Sequence, residues 1–487
     1  MKRKRLIKWV LAVGIPCAAA ITLTAGFLKS SRYVAHEWGT FTSVQGGDGV
    51  LLSWRPLESS RLPGFVYDWN KPGLGRQSMA AMTFTKQSLV TLQRMETPVI
   101  YFYSDREETV DVSVNFPKGT ITEWYPQAKQ IGPSVVPKPP AVAKADTVAH
   151  KAGAKQDFTF QSWMDHSATK ESRALWSHVD ILKRGTSNEK ALVTDRSGSH
   201  YFAARDTDAN LVRVDSLVAT NAVPEVEKFI FYRGAGSFAT PLAVTTTRDH
   251  LVTITNTGSE ALDHLYLLGV KNGAGSFLHI SSLKPGEKQT LALDPAKNVP
   301  LKTLDEDISE DLAKSLVSAG LYAREAKAMV NTWKDSWFEE DGLRVLYILP
   351  RAWTDQTLPI TMNPAPRELV RVMVGRAEII PPDQQERIRD AITRATDAES
   401  DAVAANEAKE EFRKLGRFAE PALSLALRQA PQPVNQKGWK LMYEAAEAEK
   451  VKAQAPRVQP IRAASVQMPV APVQQAQVQL QVEARAW

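Results

Sequence analysis

The chain has 487 residues, of which 23% are charged, and a formal net charge of +6. Its single cysteine, Cys17, lies near the N-terminus, so the body of the chain has no internal disulfide, no thiol nucleophile, no cysteine-built zinc site and no iron–sulfur cluster. Part of the positive excess sits in the first eight residues, and no basic stripe with interleaved aromatics follows, so composition gives no argument for nucleic acid.

Lys2, Arg3, Lys4, Arg5 and Lys8 precede an uncharged run from Trp9 to Leu28. A helix of ~20 apolar residues is long enough to cross a hydrocarbon core, and the positive cluster before it orients the remainder away from the cytoplasm. Residues 1–32 are therefore expected to be a signal peptide, cut after Ala20 or Ala25, or an uncleaved anchor. The length of the run favours the anchor, which would bring residues 9–28 into the membrane. The expected location is periplasmic or extracytoplasmic, tethered to the inner membrane. Pro16 stands where a lipid-attachment signal before Cys17 would carry a small residue.

Residues 33–130 read as β structure. "PVIYFYS" is rich in β-branched and aromatic residues, and Val110, Val112, Val114 and Phe116 alternate with polar residues. Residues 131–157 are rich in Pro, Ala and Lys, cannot bury a core, and are expected to be a disordered insertion. Residues 158–303 return to strands, with turn signals at Asn256-Thr257-Gly258 and Pro285-Gly286 spaced as in an antiparallel sandwich. In residues 304–380 the period turns helical from Leu312 to Phe338, and two apolar strands follow. Residues 381–450 read as helical, and "EFRKLGRFAEPALSLALRQA" is similar to one HEAT-type unit. Residues 451–487 are a Gln, Val, Ala and Pro mixture expected to be a disordered tail. The fold class expected is mainly β with α: an antiparallel β-sandwich core, immunoglobulin-like or jelly-roll-like, plus a helical C-terminal part.

The strings "HEWGTFTSVQG", "METPVIYFYS", "TEWYPQA" and "TWKDSWFEEDGLRVLYILPRAWTD" resemble a group of exported bacterial proteins that carry an HEWGTFT-type N-terminal motif and have no assigned activity. The resemblance spans most of Tyr33 to Ile380, without the insertion and the tail. It carries over no catalytic residue, and it leaves the cofactors unknown.

Candidate sites come from the residues themselves. His36 and Glu37 offer a base or a ligand pair, but in a strand neighbours point to opposite faces, and Thr40 occupies the position where an HExxH zinc site needs histidine. Alternation places His36, Trp38 and Thr40 on one face and Glu37, Gly39 and Phe41 on the other. A buried Glu37 would need an arginine or backbone amides as partner. Trp38, Trp54 and Trp69 are candidate stacking residues for a sugar, or core residues. His178 and Asp180, two apart, would share a strand face and with His166 or His200 could form a mixed metal site. Asp335, Glu339, Glu340 and Asp341 crowd around Trp337, and Glu339 and Glu340 are candidate acid–base carboxylates. "DTDAN" begins like a calcium loop but has Leu211 in place of the required Gly and Leu217 in place of Glu. "RGAGSF" lacks the third glycine of a dinucleotide fingerprint.

The reading is an exported cell-envelope protein of binding or structural type, with a glycan or an envelope protein as partner. The rival is a hydrolase of glycans or peptides, metal-dependent or not, drawing on His36, Glu37, Glu96, Glu339 and Glu340. The two readings differ on one point: whether His36 or Glu37 opens into a pocket shared with other ionisable groups.

Overall fold

The computed structural model describes residues 33–57, 62–68, 89–132, 172–185, 192–195, 198–215, 223–397 and 402–454. In chain order the strands are β1 (Val34–Gly46), β2 (Tyr67–Asp68), β3 (Gln93–Tyr103), β4 (Glu108–Phe116), β5 (Gly119–Tyr125), β6 (Gln130–Gly132), β7 (Ser172–Ile181), β8 (Val212–Val214), β9 (Glu225–Glu227), β10 (Ile230–Gly236), β11 (Leu242–Thr246), β12 (Val252–Asn256), β13 (Leu262–Lys271), β14 (Ala274–Leu283), β15 (Lys288–Leu291) and β16 (Val299–Pro300). Helices α1 (Leu301–Ser318) and α2 (Ala323–Lys334) come next, then β17 (Gly342–Ile348), α3 (Arg351–Thr357), β18 (Ile360–Asn363) and β19 (Glu368–Ile380). Helices α4 (Pro382–Asp397), α5 (Ala402–Leu415), α6 (Ala419–Ala426) and α7 (Gln432–Gln454) close the fold.

A ten-stranded sheet, in the order β16-β14-β13-β17-β19-β1-β3-β10-β5-β2, forms the middle layer. The segments 33–130, 158–303 and 304–380 all contribute strands to it. At its centre β1 runs parallel to β19 over its whole length, from Val34 opposite Glu368 to Gly46 opposite Ile380, and antiparallel to β3. One face packs on two smaller sheets, β11-β12-β15 and β18-β4-β7-β8-β9. Phe41, Ile100, Val112, Trp176, Val252 and Ile254 meet in that sandwich core. The other face is covered by helices: α1 and α2 with Trp38, Leu268, Leu312 and Trp333, and the α4–α7 layer with Val44, Trp54, Ile380 and Phe418. The fold is thus mainly β, a sandwich with a helical part that is mostly C-terminal.

Several sequence expectations change. The single helix from Leu312 to Phe338 is two helices, because Gly320 at φ 115° ends α1 and Glu325 accepts the Tyr322 N–H to start α2. Trp333 and Trp337 lie in one core, with their rings stacked at 6.2 Å. The stretch after β1, "VLLSWRP", which the reading of residues 33–130 as β structure includes, makes only isolated bridges, Gln45–Leu51 and Trp54–Thr91. The expected insertion begins two residues late, since β6 runs to Gly132, and α7 extends into the expected tail as far as Gln454. Residues 133–157 and 455–487 lie outside the described residues. The expected extracytoplasmic location, with its membrane tether, is corrected. Among the described residues no helix is long and apolar enough to cross a membrane, and Trp9 to Leu28, on which the expectation rested, lie outside them.

Candidate functional site

The His36-Glu37 pair is divided between the two faces of β1. His36 faces the helices: its Nδ1 lies 2.7 Å from Glu325 Oε2, and Tyr103 donates its hydroxyl proton to Glu325 Oε1 at 2.7 Å. The same carboxylate accepts the Tyr322 N–H at 2.8 Å, and the Tyr322 ring covers the imidazole at 4.4 Å. An acidic residue in the first turn of a helix also suits the helix dipole. His36 is 1% exposed and Glu325 fully buried, so this dyad ties β1 to α2 in the interior.

Glu37 faces the sandwich. Arg371, its neighbour on β19, donates Nε–H to Glu37 Oε2 at 2.5 Å, and the Tyr232 hydroxyl donates to Oε1. Arg371 continues through Nη1 to Asp355 at 2.7 Å. The buried carboxylate therefore has the arginine that its burial demands. Between the two residues' neighbours, Gly39 leaves room for a bulge in β3. A Cβ there would stand 2.9 Å from Pro98 Cα, and Thr97 takes φ 48° where the β1–β3 register shifts.

Further along the helix-side face, ionised side chains form a row across neighbouring strands. Arg344 on β17 meets Glu378 on β19 at 3.0 Å, and Arg376 meets Glu378 at 2.8 Å and Glu340 at 2.7 Å. Arg94 and Glu96 on β3 follow, with the Thr42 hydroxyl and Arg417 on Glu96 Oε1 at 2.7 and 2.8 Å. Arg233 on β10 and Glu123 on β5 end the row at 2.5 Å. The Phe418 ring lies between the Arg376 and Arg417 guanidinium groups, 5.0 and 4.9 Å from its centroid. Burial opposes ionisation of Glu96, but Arg417, Arg94 and the Thr42 hydroxyl outweigh it and hold its carboxyl well below the usual range. Burial likewise opposes ionisation of Glu340, and Arg376, Arg417 and Arg344 outweigh it. Carboxylates held in the ionised form are poor proton donors, and the row joins helices to sheet.

The other candidates disperse. Glu339 is exposed, and its carboxyl is raised by burial and by Asp335 and Asp305. Trp38 is buried beside Tyr101, and Trp54 packs on Phe418. Trp69 and His166 lie outside the described residues. His178 is the bulged residue of β7 at φ 56°, and its N–H goes to Asp111 Oδ1. Asp180 is held by Arg213 at 2.6 Å and Thr109 at 2.7 Å. Asp206 and Asp208 share the Arg324 guanidinium instead of a calcium ion's position. Among the described residues no three His, Cys, Asp or Glu side chains are grouped to hold a metal.

A cleft of about 670 Å³ opens where the small sheet, the end of the large sheet and the C-terminal helices meet. Val252 of β12, Gly269 of β13, Leu293 after β15, Leu343 of β17 and Pro381 before α4 form its apolar wall. Arg387 on its rim is neutralised by Asp383 at 2.5 Å and lies 3.8 Å from Glu411. No feature of the sequence marked this cleft, because its lining comes from six separate segments. The charged row did leave a signal: Arg376 and Glu378 interrupt an apolar strand, and ionised groups in a strand buried on both faces require partners.

No family profile matches the sequence, and no curated protein matches it. Solved structures that align include the Fcho1 mu homology domain of Danio rerio with bound Eps15 peptide, at 7% identity over 73% of this chain and 99% of that one, TM-score 0.26. The yeast delta-COP-I mu-homology domain complexed with Dsl1 WxWxV peptide aligns at 7% identity over 72% and 96% of the two chains, TM-score 0.21. A second structure of the yeast delta-COP-I mu-homology domain aligns at 8% over 72% and 95%, TM-score 0.22. Likeness at these TM-scores bears on neither the fold nor the function of this chain.

Proposed function

We propose that this chain is a ligand-binding protein whose cleft between the small sheet, the large sheet and the C-terminal helices holds a small, mainly apolar molecule. The observation that carries the reading is the cleft itself: about 670 Å³, walled by Val252, Leu293, Leu343 and Pro381. That volume falls within the ~300–1,000 Å³ of small-molecule sites, which favour junctions between structural layers. The lining has acids and bases of both signs, so charge does not select the ligand and apolar contact does. The hydrolase rival loses support because its residues do not converge. His36 and Glu37 are spent on opposite faces, and Glu96 and Glu340 are held by arginines.

The test uses Nile red, an uncharged dye that fluoresces in apolar surroundings. The folded protein is expected to bind one equivalent, and Leu293→Trp, which fills the cleft, is expected to weaken binding at least tenfold at unchanged melting temperature. Equal binding by the variant, or no binding by the unaltered chain, overturns the reading.

A further inference from the structure

The hairpin of β13 and β14 carries two histidines that the sequence reading did not single out. His264 Nδ1 lies 3.3 Å from His279 Nε2 on the solvent-accessible side of the hairpin, beneath α1. Each ring is held from its far nitrogen. His279 donates its Nδ1 proton to Asp311 Oδ2 at 3.0 Å, and Tyr266 stacks on its ring at 4.3 Å. His264 Nε2 lies 3.0 Å from Ser318 Oγ, whose own proton goes to the Ser315 carbonyl at 2.7 Å. Ser318 Oγ is therefore the acceptor, and the His264 proton sits on Nε2.

This proton count leaves the two facing nitrogens, His264 Nδ1 and His279 Nε2, both as lone pairs. The Ser315 hydroxyl, 3.0 Å from His264 Nδ1, answers only one of them. Two imidazole nitrogens bound at ~2.0–2.1 Å to a tetrahedral ion stand about 3.3–3.4 Å apart, which is the separation found. The backbone supports the placement: His264 takes φ 52° where the β13–β17 register shifts, a bulge that re-aims its side chain.

We propose that His264 and His279 form a two-nitrogen clip for a late first-row divalent cation, with Asp311 and Ser318 orienting the rings and water completing the coordination. Binding turns the Ser315 proton away toward Tyr266, whose hydroxyl oxygen is 2.7 Å from Ser315 Oγ. Such outer partners typically contribute a factor of about 10–100 in metal affinity; the tetrahedral spacing fits Zn²⁺, and Cu²⁺, which binds nitrogen ligands more tightly, serves as its spectroscopic probe.

The experiment titrates the untagged full chain with Cu²⁺ alone, by calorimetry and by electron paramagnetic resonance. One equivalent is expected, with hyperfine coupling from two imidazole nitrogens. His264→Ala and His279→Gln, checked for unchanged circular dichroism, are each expected to lose it. Asp311→Asn is expected to weaken it about 10–100-fold. Binding that persists in both histidine variants overturns the proposal, as does the absence of binding to the unaltered chain, which would leave a proton shared between the rings.

Discussion

At the scale of single residues, burial decides what each ionisable group can do. Glu37 and Arg371 are fully buried at their side chains and 2.5 Å apart. Removing one partner of such a pair strands the other charge and costs about 3–5 kcal/mol. Glu37→Ala is expected to show a loss of that size in urea unfolding, and Glu37→Gln a smaller one, because the amide oxygen still accepts from one of the two donors, Arg371 or Tyr232. Glu96 gives a pH test. Its folded pKa lies below the ~4.3 of an unfolded glutamate, so its contribution to stability is complete above that value and lost as pH falls toward the folded one. The stability gap between the unaltered chain and Glu96→Gln is expected to be full at pH 7 and to shrink steadily below about pH 4. A gap that stays constant to pH 3 would show that Glu96 is not held ionised by Arg417 and Arg94.

At the scale of elements, α2 and β1 show how local pattern and packing combine. Trp333 of α2 is 4% exposed and packs in the core beneath α1, so Trp333→Ala is expected to cost about 3–5 kcal/mol by chemical denaturation. A loss under about 1 kcal/mol would place the ring at the surface. In β1, Gly39→Ala puts a methyl against Pro98 Cα, a backbone contact that cannot swing aside. Overpacking of this kind costs about 1–3 kcal/mol, and the same measurement reads it. The alternation of His36 and Glu37 was legible because a strand's period of two is a local property. The break at Gly320 was read through, because apolar spacing on both sides of it continues the helical period. The partners Glu325, Arg371 and Arg417, each hundreds of residues from the group it serves, left no local mark.

At the scale of the molecule, the charged row is the seam between two helical blocks on one sheet face. Phe418, between Arg376 and Arg417 and against Trp54, pins the C-terminal helices to that seam. Phe418→Ala is expected to cost about 3–5 kcal/mol and to expose residues 402–454 to proteolysis before the sandwich is cut. Simultaneous loss of both parts would show that the helical layer is no separable unit of stability. The sequence alone determined the strands β1, β3, β4, β5, β17 and β19, the helical C-terminal part and the opposite facing of His36 and Glu37, because hydrophobic period and turn chemistry are written locally. Only the tertiary structure decided that β1 lies parallel to β19, that arginines neutralise the buried carboxylates, that His264 meets His279, and that a cleft forms between layers. Each of these depends on which distant segments become neighbours, and strand pairing over more than 300 residues is set by the burial of whole faces, which no short stretch of sequence contains.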